Sequence, residues 1–274
     1  MKKLVAFLMA MTMILCLFAG CAAEKTDPVH TTAGLPSKEG ITIPKRNVSL
    51  KNDPAADMML LFIYQGNCYV QYEIVQGTAI KGKRLGTVTG MIDEWTPADG
   101  YVELAGCAYG DFFEVEGYDP SFMLCMNEGE DAVMTYVCDS GYTLTYGADL
   151  FEEKFQLSDH YSAMQYETSQ SWFNSMGECY QVNGTSDVVD EFIRKLNTAE
   201  FMLYDSVEDK FDFENWMYVL SFKMNNGTAV HVSLYEDGYV LCSGFPQVCI
   251  KVPEKEFNAL SDFMDNHSDS VRLS

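Results

Sequence analysis

Basic side chains are scarce in this 274-residue chain: 18 Lys and Arg stand against 40 Asp and Glu, a formal net charge of −22. Such a surface repels phosphate backbones, because nucleic-acid binding needs Lys and Arg to displace counterions. Nucleic acid is therefore not an expected partner. The four histidines, His30, His160, His231 and His267, form no metal or catalytic pattern. HExxH, GxSxG, the P-loop and GxGxxG are all missing. No two cysteines have CxxC spacing, so a zinc site is not indicated. Past residue 21 no run is long or apolar enough to cross a bilayer, which takes roughly 20 residues. The expectation from these absences is a non-enzymatic chain with no catalytic residues, no metal and no cofactor.

What is present begins at the first residue. Lys2 and Lys3 form a basic head, Leu4 to Phe18 an apolar run broken only by Thr12, and Ala19, Gly20 and Cys21 a small-residue close. That is the layout of an export signal. The segment Leu17-Phe18-Ala19-Gly20-Cys21 resembles the lipobox of bacterial lipoproteins, with Phe18 where that motif carries Leu, Val or Ile. The resemblance covers the leader alone. It implies cleavage after residue 20 and lipidation of Cys21, which would hold the protein to the outer face of the cytoplasmic membrane of a Gram-positive-like cell. Two acyl chains suffice for stable anchoring, since each buried methylene contributes about 0.8 kcal/mol. Loss of Lys2 and Lys3 with the leader takes the net charge from −22 to −24, and solubility outside the cell explains it.

Residues 21–57 carry no sustained apolar period and read as a flexible tether with a reach of about 33 Å. From residue 58 the composition, 47% apolar overall, supports packed cores. Short apolar runs follow one another: Met58 to Tyr64, Cys68 to Val75, Arg84 to Ile92, Tyr101 to Ala108, Phe112 to Tyr118, Phe122 to Met126, Ala132 to Cys138 and Tyr142 to Tyr146. Glycine-containing turns separate several of them, which predicts an all-β domain over 58–158, an antiparallel sandwich or barrel.

Residues 159–274 predict an α+β domain with an antiparallel sheet and two helices. Ser171 to Phe173 and Cys179 to Val182 suit a hairpin. Thr185 or Ser186 can cap a helix whose Val188, Val189, Phe192, Ile193 and Leu196 share one face, with Asp187 and Asp190 at its positive end. Strands follow near 201–204, 216–224, 228–235, 239–242 and 248–252. Asn225-Asn226-Gly227 and Asp237-Gly238 are tight-turn signals that make the middle three a meander. Pro253 opens a last helix with Phe257, Leu260, Phe263 and Met264 inward.

Chemistry-bearing residues are few. Seven cysteines lie past Cys21, most in strand-like runs where a free thiol behaves as a small hydrophobe. Buried free thiols in an exported chain suit a host living without oxygen. Cys242 and Cys249 can face each other across a turn, the one disulfide to test. His231 alternates with Val230 and Val232 and reads as a solvated strand histidine; His160 lies near the domain junction. Glu114 and Glu116 share a strand face and can form an acid–base pair, with the outer face as the plainer explanation. The clusters Glu128 to Asp131 and Asp205 to Glu214 lack the EF-hand ladder and read as solvated turns. Tyr142 and Tyr146 have the YxxxY spacing that resembles the haem-binding strand of surface haem-capture domains, a five-residue resemblance that implies both rings on one ligand. Trp95, Trp172 and Trp216 can stack on sugars where exposed, with core packing as the default.

The function expected is that of a lipid-anchored extracytoplasmic binding or sensing module for a cell-envelope protein or small ligand. The rival classes are a cell-surface hydrolase with a Cys/His or carboxylate site, and a haem or metal capture protein.

Overall fold

Apolar residues at every second position dictate strands, and the turns between them decide which strands pair. The computed structural model describes residues 39–46, 60–92 and 102–273, all within one compact unit. β1 (Ile41–Ile43) precedes the first large sheet. That sheet comprises β2 (Leu61–Tyr64), β3 (Asn67–Gln76), β4 (Lys81–Val88), β5 (Gly90–Met91), β6 (Ala105–Gly106), β7 (Gly110–Val115), β8 (Met123–Glu128) and β9 (Ala132–Cys138). Its strand order is β4-β7-β8-β9-β3-β2-β6-β5, antiparallel except between β5 and β6.

The two ends of that order, β4 and β5, are separated in the chain by Thr89 alone. Chain continuity therefore draws the two edges together and curls the sheet. A cluster of Phe62, Tyr69, Phe112, Leu124, Met134 and Tyr136 fills one side of it. Phe62 lies at its centre, 5.3 Å from the Tyr69 ring, 5.1 Å from Phe112 and 5.2 Å from Tyr136. β10 (Tyr142–Leu144) then pairs with β1, and two short helices follow, α1 (Gly147–Phe151) and α2 (Leu157–His160).

The remaining elements are β11 (Tyr161–Thr168), α3 (Ser169–Phe173), β12 (Tyr180–Asn183), α4 (Asp187–Thr198), β13 (Phe201–Leu203), β14 (Trp216–Met224), β15 (Ala229–Tyr235), β16 (Tyr239–Cys242), β17 (Val248–Lys251), α5 (Glu254–Asp265) and β18 (Ser270–Arg272). They build a second eight-stranded antiparallel sheet in the order β13-β17-β16-β15-β14-β11-β12-β18. The expected meander is present as β14-β15-β16. Asp237 and Gly238 both take left-handed backbone angles in its second turn, a conformation that glycine adopts without strain.

The helices form as their periodicity dictates. α4 buries Val189, Phe192, Ile193 and Leu196, with Asp187 and Asp190 in its first turn and Lys195 in its last. Ser186 occupies the cap position without a side-chain bond. α5 starts after Pro253 and buries Phe257, Leu260, Phe263 and Met264. These side chains join Leu220, Phe222, Val230, Val232 and Leu234 of β14 and β15 in one core, each fully buried side chain contributing about 1.5–3 kcal/mol. The same core continues into the first sheet. Phe122 meets Phe155 at 5.0 Å, and Phe155 meets Phe245 at 6.2 Å, so rings from both halves interlock.

Four expectations are corrected. Part of the expected flexible tether is structured: Ile41–Ile43 form β1, paired with β10, and the Arg46 guanidinium meets the buried Asp139 carboxylate. Ser171 to Phe173 lie in a helix, α3, because Thr168 Oγ1 accepts the Ser171 N–H at 3.2 Å and starts a helical turn. The hairpin partner of β12 is β11, a strand the sequence did not announce. Cys242 and Cys249 are both buried free thiols. Val240 opposes Ile250 in the β16–β17 register, which sets Leu241 opposite Cys249 and turns Cys242 to the other face of the sheet.

Candidate functional site

The second sheet has two unlike faces. Tyr218, Leu220 and Phe222 of β14 point to the helices and are buried, whereas Val219 and Ser221 point the other way and are half-buried. Register carries that outward row across three strands: Gln165 opposes Ser221, and Ser221 opposes His231. Glu73 meets the end of the row from the first sheet. β3 has an irregularity between Gln71 and Ile74, the kind of bulge that re-aims a side chain.

The polar contacts are ordered. Glu73 Oε2 lies 3.2 Å from His231 Nε2, and His231 Nδ1 lies 2.7 Å from Ser221 Oγ. A carboxylate only accepts, so Nε2 carries the hydrogen, and the direction of the Nδ1–Ser221 Oγ bond follows from whether Nδ1 is also protonated. Glu73 Oε1 accepts the Ala229 N–H at 2.7 Å, and the His231 N–H donates to Tyr72 Oη at 3.2 Å. The expectation of a solvated His231 is thereby corrected. Its side chain is 25% exposed and both ring nitrogens are engaged. Burial, aided by nearby Cys242 and Glu73 and opposed by the His231 N–H that Tyr72 accepts, pushes the Tyr72 phenol well up.

His231 and Ser221 form part of the floor of a groove of about 380 Å³ whose lining includes Gln165, Glu167, Trp172 and Cys179. Ser171 Oγ donates to Glu167 at 2.5 Å and accepts the Glu178 N–H at 3.0 Å, tying α3 to the groove wall. Burial and the neighbouring Glu167 carboxylate raise the Cys179 thiol.

Trp172 also belongs to a second feature that begins where the groove ends. Trp172 meets Trp216 at 5.3 Å, Phe213 lies 6.1 Å from Trp216 and 4.8 Å from Phe173, and Tyr235 stacks on Trp216 at 6.3 Å. From Tyr235 the contacts run on to Phe211 and Tyr204, each step 4.8 Å. The strip is exposed at one end: Trp172 at 53%, Phe173 at 62%, Met176 at 55% and Phe213 at 54%. Soluble surfaces rarely leave adjoining aromatics bare, and a contiguous apolar patch marks an interaction site. Three short 3-10 turns lie between Tyr204 and Asn215; Phe211 follows the second and Phe213 opens the third.

Other residues singled out from sequence are placed apart from this face or carry less. Tyr142 lies in β10 under the Lys154 ammonium, 4.7 Å from its ring centroid, with its phenol raised mainly by burial. Tyr146 is the residue before α1, extended and bridged to Glu200, and is 45% exposed, whereas Tyr142 is half-buried. Glu114 is in β7 and Glu116 lies just past its end. His160 is exposed, with Nδ1 3.0 Å from the Gln156 carbonyl, and His267 stacks on Tyr180 at 3.9 Å. Trp216 is half-buried in the strip. Among the described residues no three His, Cys, Asp or Glu side chains converge as a metal site, and no helix is long and apolar enough to cross a membrane. Cys21, His30 and Trp95 lie outside the described residues.

Sequence reasoning missed Glu73, Ser221 and the joined strip. Glu73 and His231 are 158 positions apart, and the one available signal was a carboxylate inside a mostly apolar strand run. No family model, curated protein or solved structure matches the chain.

Proposed function

We propose that this chain is a lipid-anchored extracytoplasmic binding module that engages an envelope partner through the aromatic strip and adjoining groove. The observation that carries the reading is the bare quartet Trp172, Phe173, Met176 and Phe213 on an otherwise acidic surface. Large, stiff aromatic side chains are the usual anchors of protein interfaces because they bury much area at small entropic cost. Residues 58–158 and 159–274 divide the labour: the β-rich part acts as a brace, and the α+β part carries the contact face. Of the expected tether over 21–57, β1 is paired with β10, so the part ahead of β1 serves as the link to the lipid. Anchoring is supported by the lipobox-like leader, and Cys21→Ser is expected to move the protein from membrane to medium or leave it unprocessed; a variant fractionating like the parent contradicts the anchor. For the interface, Phe173→Ser with Phe213→Ser is expected to abolish specific recovery of a partner from native envelopes while the melting curve stays in place. Unchanged recovery contradicts the reading.

A second reading, a surface hydrolase, is favoured by the ordered Glu73–His231–Ser221 contacts in the groove. Ser221 sits in a strand paired on both sides, so its neighbouring backbone N–H groups serve the ladder instead of an oxyanion. Turnover of an activated ester that disappears in Ser221→Ala would establish this reading over the first.

A further inference from the structure

We infer that the occupant of the aromatic strip is a basic segment of a partner protein, with Arg or Lys side chains laid on the exposed rings. The inference rests on the strip being the interface, and adds the chemistry of what covers it. Charge is the first argument. Between Tyr204 and Trp216 five carboxylates, Asp205, Glu208, Asp209, Asp212 and Glu214, stand against one ammonium, Lys210. All five are exposed, and Lys210 is engaged by Asp209 at 3.0 Å. Three of them stand near one ring of the strip: after burial, the charges of Glu208, Asp205 and Asp212 raise the Tyr204 phenol. An anionic or strongly acidic partner meets repulsion here, whereas a cationic one is drawn in and oriented.

Ring chemistry is the second argument. The faces of Trp, Tyr and Phe are negative and attract guanidinium and ammonium groups within about 6 Å. The chain already does this at the buried end of the same strip, where Tyr239, 5.9 Å from Phe211, carries the Lys251 ammonium 4.7 Å from its ring centroid. At the other end Phe173, Phe213 and Trp172 offer bare rings with Asp212 and Glu214 on either side of Phe213 in the chain. Aromatic area plus adjacent carboxylate is the pairing an Arg or Lys side chain uses, its stem on the ring and its head on the acid.

The test titrates the purified native chain with three probes and follows tryptophan fluorescence: an Arg/Lys-rich peptide, the same peptide with Glu in place of each basic residue, and a neutral amino-sugar oligosaccharide. The basic peptide is expected to bind and to weaken as salt rises, and the acidic peptide not to bind. Phe173→Ser with Phe213→Ser, and separately Asp212→Asn with Glu214→Gln, are each expected to weaken binding about tenfold, the loss of one good anchor. Loss in the carboxylate pair alone means diffuse attraction and overturns the inference. Binding of the oligosaccharide or of the acidic peptide, lost in the aromatic pair, keeps the strip as an interface and overturns the basic occupant. Binding of no probe overturns the basic occupant too, while recovery from envelopes continues to test the interface separately.

Discussion

The first sheet and the second are made of similar strands, yet they treat their faces differently. The first has its two edge strands joined through Thr89 and packs Phe62, Tyr69, Phe112 and Tyr136 against one another. The second stays open, covers one face with α4 and α5, and leaves on the other a polar row and an aromatic strip. A sheet that satisfies its own faces has little left to offer a partner. The second sheet, braced by the first through Glu73 and the shared phenylalanines, keeps a face free without losing its core.

The sharpest way to break that contrast is at the joint. Phe155 is fully buried between Phe122 and Phe245, so Phe155→Ala is expected to cost about 3–5 kcal/mol. Denaturant unfolding should lower the midpoint for both halves together, because one core serves both; two separated transitions would show that the halves are independent. Glu73→Ala is next. It strips the acceptor from the Ala229 N–H and from His231, and is expected to cost about 1–3 kcal/mol by the same measurement. On the free face the expectation reverses: Phe173→Ser with Phe213→Ser should change stability by less than about 1 kcal/mol, because exposed rings hold little of the core. A large loss there would make the strip a structural element.

Thiol labelling sharpens the contrast further. Burial pushes Cys68 and Cys249 up to about 12 and Cys125 up to about 11, so their reactive thiolates are suppressed. In the native protein the half-buried Cys107 and Cys179 should react with a maleimide well before those three, which should appear only on unfolding.

The smallest effect concerns pH at the rim of the first sheet. Hydrogen bonds from Arg84 and Thr87 hold the Asp111 carboxyl at about 2, below its ordinary 3.8. Its contribution is therefore complete above 3.8 and fades as pH falls through about 2. Asp111→Asn should leave a shallower acid limb between those values in urea midpoints; an unchanged limb would show that the pair is idle.

Local physics explains what the sequence disclosed. α4 and α5 were legible because periodicity, end charges and Pro253 agree, and the meander because Asn226-Gly227 and Asp237-Gly238 admit few alternatives. β11 escaped because its register shifts between Tyr161 and Ala163, which breaks the two-residue period just where it had to be read. α3 escaped because Trp172 and Phe173 favour strands, while a single bond from Ser171 to Thr168 decides for helix. The Glu73–His231 contact joins two sheets, so no local pattern could carry it. The exposed strip was hidden for a related reason: a sequence shows aromatic residues, but only packing shows which remain bare.

The most direct measurement places a photoreactive amino acid at Phe173 and, as control, at exposed Lys255 on the helix-covered side, in cells making the full-length protein. A discrete adduct from position 173 and none from 255 is the predicted result. Equal adducts from both positions, or none from 173, would contradict the claim that the open face of the second sheet is where this molecule meets its partner.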